Sequence, residues 1–173
     1  MSTTGKTTVP PSGHHLLVEL RNDGIYFASF DPLEDDTYQS CSVSFTAKNR
    51  PLCENVKNCV YENPQLLQEY DRTYILVDTS HFTFVPEELE KEEENRLPYY
   101  DFCFSGHDDH VIENHLVLNH AYLLFGVEHE LYTFLCRTFS NPIILHPLAS
   151  LCEYFFLHSR NGNETKAYLH LRK

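Results

Sequence analysis

His107-Asp108-Asp109-His110 is the densest group of metal-ligating side chains in the sequence. Imidazole and carboxylate together suit zinc or manganese, and Gly106 leaves the turn free to adapt. The flanks are Ser105-Gly106 and an apolar stretch, which also describe an ordinary polar hairpin turn. The turn is the favoured reading; a metal-dependent hydrolase built on these residues is the alternative. His115 and His120 do not obviously complete a ligand set, because their spacing from His110 changes face along a strand and diverges on a helix. Gly5-Lys6-Thr7 has the tail of a phosphate-binding loop, but neither the earlier Gly nor the preceding strand is present. His129-Glu130 opens the zinc-protease pattern H-E-x-x-H, yet Thr133 stands where the second His belongs. No G-x-S-x-G or G-x-G-x-x-G is found. The residues thus predict no catalytic, cofactor-binding or metal site.

The six cysteines, Cys41, Cys53, Cys59, Cys103, Cys136 and Cys152, form no C-x-x-C pair. Apolar neighbours such as Leu135 beside Cys136 predict buried free thiols. The chain has 173 residues, 13 Lys+Arg against 25 Asp+Glu, and a formal net charge of −12. Such a balance argues against nucleic acid or an anionic membrane as partner, since both select for basic surfaces. No apolar run is long enough for a signal peptide or a membrane span, which predicts a cytoplasmic protein.

The elements that must position these residues follow from periodicity. His15–Arg21, the turn Asn22-Asp23-Gly24 and Ile25–Phe30 read as a hairpin, and 39–46 alternates as a third strand. Pro51 begins a helical stretch with Leu52, Val56, Cys59 and Val60 on one face; Asn63-Pro64 restarts a short one. Tyr74–Val77 and Phe82–Val85 read as buried strands. Pro86 opens an acidic surface helix over Glu87–Asn95. Tyr99–Phe104, Val111–Leu118 and Ala121–Val127 read as strands. Leu131, Phe134, Leu135, Thr138 and Phe139 mark an amphipathic helix. Ile143–Leu145 is a short strand, Pro147 opens a last helix, and Thr165–Leu171 begins a further strand. The expected domains are a flexible arm over 1–13, a lobe over 14–160, and a terminal strand or second-lobe start over 161–173. Three antiparallel strands followed by helix–strand alternation predict a mixed α/β sheet of the ribonuclease-H-like kind with helices on its faces.

The segment Phe82-Thr83-Phe84-Val85-Pro86-Glu87-Glu88-Leu89, the charged run and Tyr99-Tyr100-Asp101-Phe102 resemble the core of an uncharacterised bacterial family with the actin-like ATPase fold. Ala121–Val127, Leu131-Tyr132 and Ile143-Ile144-Leu145-His146 are similar too, so the resemblance covers most of Leu16 to Leu171. It implies one lobe of a two-lobed design. The actin-like ATPases carry Asp-x-Gly and a hydroxyl residue in the first hairpin, where they cradle phosphate. Here the comparable stretch reads Glu19-Leu20-Arg21-Asn22-Asp23-Gly24, with Arg where Gly is needed and no Ser or Thr after it. The resemblance therefore implies a pseudo-ATPase without cofactor or catalytic residue, acting as a protein-binding or scaffold module or associating with itself. A nucleotide-binding ATPase or kinase relative is the alternative.

Overall fold

The computed structural model describes residues 13–47, 49–89 and 96–159. Residues 1–12 of the arm expected over 1–13, the later part of the acidic helix and the strand over 165–171 lie outside these residues.

Two sheets organise the described chain. β1 (His15–Leu20), β2 (Gly24–Phe30) and β3 (Gln39–Ser44) form the antiparallel part of a five-stranded sheet. α1 (Leu52–Glu62) then carries the chain back to β4 (Arg72–Val77), which pairs parallel to β1, as β8 (Ile143–Leu145) does to β4. The order is β3-β2-β1-β4-β8, the mixed sheet that the strand pattern predicts. A parallel pair needs a crossover of helix length, and α1 provides it. Asn63 stops α1 by donating from Nδ2 to the Cys59 carbonyl at 2.6 Å, and Pro64 starts a single 3-10 turn over Pro64–Leu67.

Register explains the core. Leu16, Val18 and Leu20 of β1 lie beside Thr73, Ile75 and Val77 of β4, while Val18 and Leu20 face Phe27 and Ile25 of β2. Every one of these is buried. Val56, Cys59 and Val60 of α1 join them in one cluster with Leu131 and Leu135 of α3 (His129–Thr138). The alternate residues Leu17, Tyr74 and Leu76, on the opposite face, are only half-buried. A lone Leu fully buried contributes ~1.5–3 kcal/mol, so the fully covered face carries most of the cohesion.

Between β4 and α3 lies an inserted antiparallel sheet, ordered β5-β7-β6, made of β5 (Phe82–Pro86), β6 (Asp109–Leu116) and β7 (Ala121–Glu128). β7 is central and buried on both sides. Leu123, Phe125 and Val127 join the main core; Leu124 packs with Val85 and Tyr100 in a smaller one. α4 (Pro147–Ser159) follows β8. No helix of the described residues is long and apolar enough to cross a membrane.

Three local expectations are corrected. Residues Tyr99–Phe104, read as a strand from their aromatics, form instead most of helix α2 (Leu97–Cys103) and its C-cap, Phe104. Pro98 sits in its first turn, where the missing N–H costs nothing, and the Tyr100 and Phe104 rings meet at 4.9 Å one turn apart. The described start of the acidic segment, Glu87–Leu89, is a 3-10 turn rather than an α-helix. All six cysteines are free, and Cys53 and Cys59 are buried, but Cys41, Cys103 and Cys136 are exposed. A buried neighbour does not bury the next residue on a helix: Cys136 is turned about 100° from Leu135.

Candidate functional site

The first hairpin is where the actin-like comparison places phosphate. Its turn is closed by the Arg21 N–H donating to the Gly24 carbonyl at 2.9 Å. Arg21 Nη2 pairs with Glu19 Oε2 at 2.7 Å, and the guanidinium carbon lies 5.3 Å from the centre of the Tyr26 ring. The cation is thereby laid back along its own hairpin. Gly24 permits the close approach of β3, since a Cβ there would collide with the Val43 carbonyl.

Open α/β sheets gather ligands beyond the carboxyl ends of their parallel strands. Here those ends are tied together by His146, which is fully buried after β8. Its main-chain N–H donates to Asn114 Oδ1 at 2.8 Å, and Asn114 Nδ2 donates to the Ile144 carbonyl at 3.1 Å. The Leu148 N–H lies 3.2 Å from His146 Nδ1, so Nδ1 accepts. That assigns the proton to Nε2, which donates to the Thr79 carbonyl at 3.0 Å. The imidazole therefore links the loop after β4 to the start of α4, while the His146 main chain holds strand β6 of the insertion through Asn114.

A second network stands beside it. Asp109 Oδ2 lies 3.0 Å from His81 Nδ1 and accepts from Tyr100 Oη at 3.1 Å. Burial, followed by the Asp109 charge, pushes the Tyr100 phenol far above its ordinary value. Gly126 opens the space for this pair, because a Cβ there would overlap Tyr100 Oη and sit 2.5 Å from Asp109 Oδ2. The His81 ring stacks on Phe104 at 5.0 Å and is half exposed. An imidazole whose Nδ1–H is held by a carboxylate keeps Nε2 as a proton acceptor, so this dyad can act as a base.

The structure disperses the His107–His110 group. His107 Nδ1 accepts from the Asp109 N–H at 3.2 Å, and its Nε2 reaches Asp101 Oδ1 at 2.9 Å. Asp108 is exposed. Asp109 turns to His81 and Tyr100. His110 stacks on Tyr132 at 3.5 Å, beside His129, and burial holds its pKa below the ordinary value. Among the described residues no three His, Cys, Asp or Glu side chains form a metal-holding group. His115 and His120 instead meet on Glu87: His115 Nε2 pairs with one carboxylate oxygen and His120 Nδ1 with the other. The His115 hydrogen bond, then that of His120, holds the Glu87 carboxyl below its usual range. His81, Tyr100, Glu87 and His146 carry no local motif; their partners come from other elements, so spacing along the chain gives no signal of them.

A mixed sheet ordered in this way, with an inserted sheet after its fourth strand, is an actin-like lobe. A solved structure from Bacteroides thetaiotaomicron VPI-5482, a protein with actin-like ATPase fold and unknown function, superposes with a TM-score of 0.78 at 28% identity. The match covers 88% of this chain and 59% of that one, so this chain spans about three fifths of its neighbour's length. Residues 6–173 match the family described as protein of unknown function DUF3822, and the chain belongs to that family. No curated protein matches.

Proposed function

We propose that this chain is a cytoplasmic, non-catalytic relative of the actin-like ATPases that serves as a protein-binding or scaffold module. The observation that carries this reading is the first hairpin turn. Where the actin-like ATPases present Gly and a hydroxyl to phosphate, this turn presents Arg21, already paired with Glu19. A phosphate would meet no side-chain hydroxyl from Arg21-Asn22-Asp23-Gly24, and the carboxylate of Asp23 would repel it. The adjoining carboxyl-end residues, His146 and Asn114, have their hydrogen-bonding groups committed to holding elements together.

A thermal-shift series with Mg-ATP, zinc and manganese tests the reading. The expected result is an unchanged melting temperature with Mg-ATP. A rise of several degrees with ATP would favour a nucleotide-binding relative, and a rise with metal alone would favour the hydrolase. One observation supports chemistry as a second reading: the His81–Asp109 dyad beside Tyr100. Were it a base acting on a bound ligand, His81→Ala would abolish turnover while leaving the fold intact.

A further inference from the structure

β3 is the outermost strand of the core sheet, with β2 on one side and no strand of the described residues on the other. Gln39, Ser40, Cys41, Ser42 and Ser44 are exposed, and Val43 is half-buried. The Phe45 N–H donates to the Asp23 carbonyl at 2.8 Å, extending the register that sets Val43 opposite Ile25 and Cys41 opposite Phe27. Bonded and non-bonded pairs alternate along an antiparallel ladder. Gln39, Cys41 and Val43 therefore use their main-chain groups on β2, and Ser40, Ser42 and Ser44 turn theirs outward. The strand holds no charge and no Pro, the devices with which sheet edges ordinarily repel further strands.

We propose that this edge pairs with a second copy of the chain, β3 against β3, antiparallel about a two-fold axis through Ser42. The inference rests on the reading of the chain as a protein-binding module and names its partner. In this register Ser42 faces Ser42 of the second copy, and Ser40 faces Ser44, so each outward serine finds a main-chain partner. Cys41 then faces Val43 of the second copy in a close, non-hydrogen-bonded pair.

Charge selects the direction. The turn Asp31–Asp36, with half-buried Asp31 and exposed Glu34, Asp35 and Asp36, leads into β3, and Arg50 follows the strand. Antiparallel pairing separates the two acidic turns by roughly 20 Å, the length of the strand, and sets each toward the other copy's Arg50 end. Parallel pairing would lay the turns side by side in a chain of net charge −12. Such an isologous contact closes at two copies. A contact of one strand edge falls in the class below about 1,200 Å², so the association is weak.

Sedimentation equilibrium of the full chain, from about 10 μM to about 1 mM, reads the prediction in the range expected of a weak contact. The mean mass should rise with concentration from 20.2 kDa toward twice that value. Ser42→Lys sets like charges opposite each other at the axis, and Ser42→Pro removes an outward N–H without touching β2. Both should hold the mass at the monomer value with an unchanged far-UV circular dichroism spectrum. Val43→Cys faces Cys41 across the proposed axis and should raise the disulfide-linked fraction above wild type under air oxidation. A wild-type monomer throughout, or a dimer indifferent to both Ser42 variants, overturns the proposal. Labelled Mg-ATP in the same cells separates the two levels: ATP sedimenting with the protein overturns the non-catalytic reading, whatever the mass.

Discussion

At the residue scale, hydrogen-bond partners decide the account more than residue type does. His107, Asp108, Asp109 and His110 look like a ligand set because they are adjacent, yet adjacency in a turn that enters a strand sends their side chains to different neighbours. His107 goes to Asp101, Asp109 to Tyr100 and His81, and His110 to Tyr132. Gly126 shows the converse: nothing nearby in sequence explains it, and its reason is the Tyr100–Asp109 pair across the sheet. Gly126→Ala should cost ~1–3 kcal/mol by overpacking, read as a lower urea midpoint with loss of the near-UV tyrosine signal. Tyr100→Phe in the Ala variant should restore part of that loss, since it removes the oxygen that the Cβ meets. Glu87 supplies a pH test. Its folded pKa lies below the ordinary 4.5, because His115 and then His120 hold the carboxylate. A depressed carboxylate stabilises the fold above its unfolded pKa and loses that contribution as pH falls through the lower, folded value. Glu87→Gln should therefore flatten the acid limb of the urea midpoint below about pH 4.5.

At the element scale, the five-stranded sheet was legible because each of its strands is a local pattern. The hairpin, the alternation over 39–46 and the apolar run of β4 all appear at their places. α2 was not legible: Tyr99-Tyr100-Asp101-Phe102 has strand-forming residues, and the i, i+4 contact of Tyr100 with Phe104 overrides them. Exposure of Cys41 was equally hidden, since alternation fixes the faces of β3 but not its place at the sheet edge. The joint between the two sheets includes His146, which no motif announces. His146→Ala would leave the Thr79 carbonyl and the Leu148 N–H without their bonds and open a cavity beside Phe82 and Phe125. The expected cost is ~2–4 kcal/mol in denaturant unfolding. Hydrogen exchange should quicken first at the start of α4, where the Leu148 N–H loses its acceptor, and in the loop after β4 that the imidazole joins to it.

At the scale of the molecule, the strand order and the solved neighbour agree on an actin-like fold, whereas the proposed function rests on how the phosphate turn departs from that design. The negative charge is now placed: Asp31–Asp36 is an exposed turn beside the open sheet edge, and Glu87 is engaged with histidines. The turn at Arg21 is the central point, because a hairpin whose cation is paired with Glu19 and whose tip is Asp23 is built for its own closure. Isothermal titration of the chain with Mg-ATP tests this most directly. The account predicts no saturable heat at nucleotide concentrations up to about 1 mM, a range that would reveal any binding stronger than about −4 kcal/mol. A one-to-one isotherm that Asp23→Ala or Arg21→Ala abolishes would contradict it.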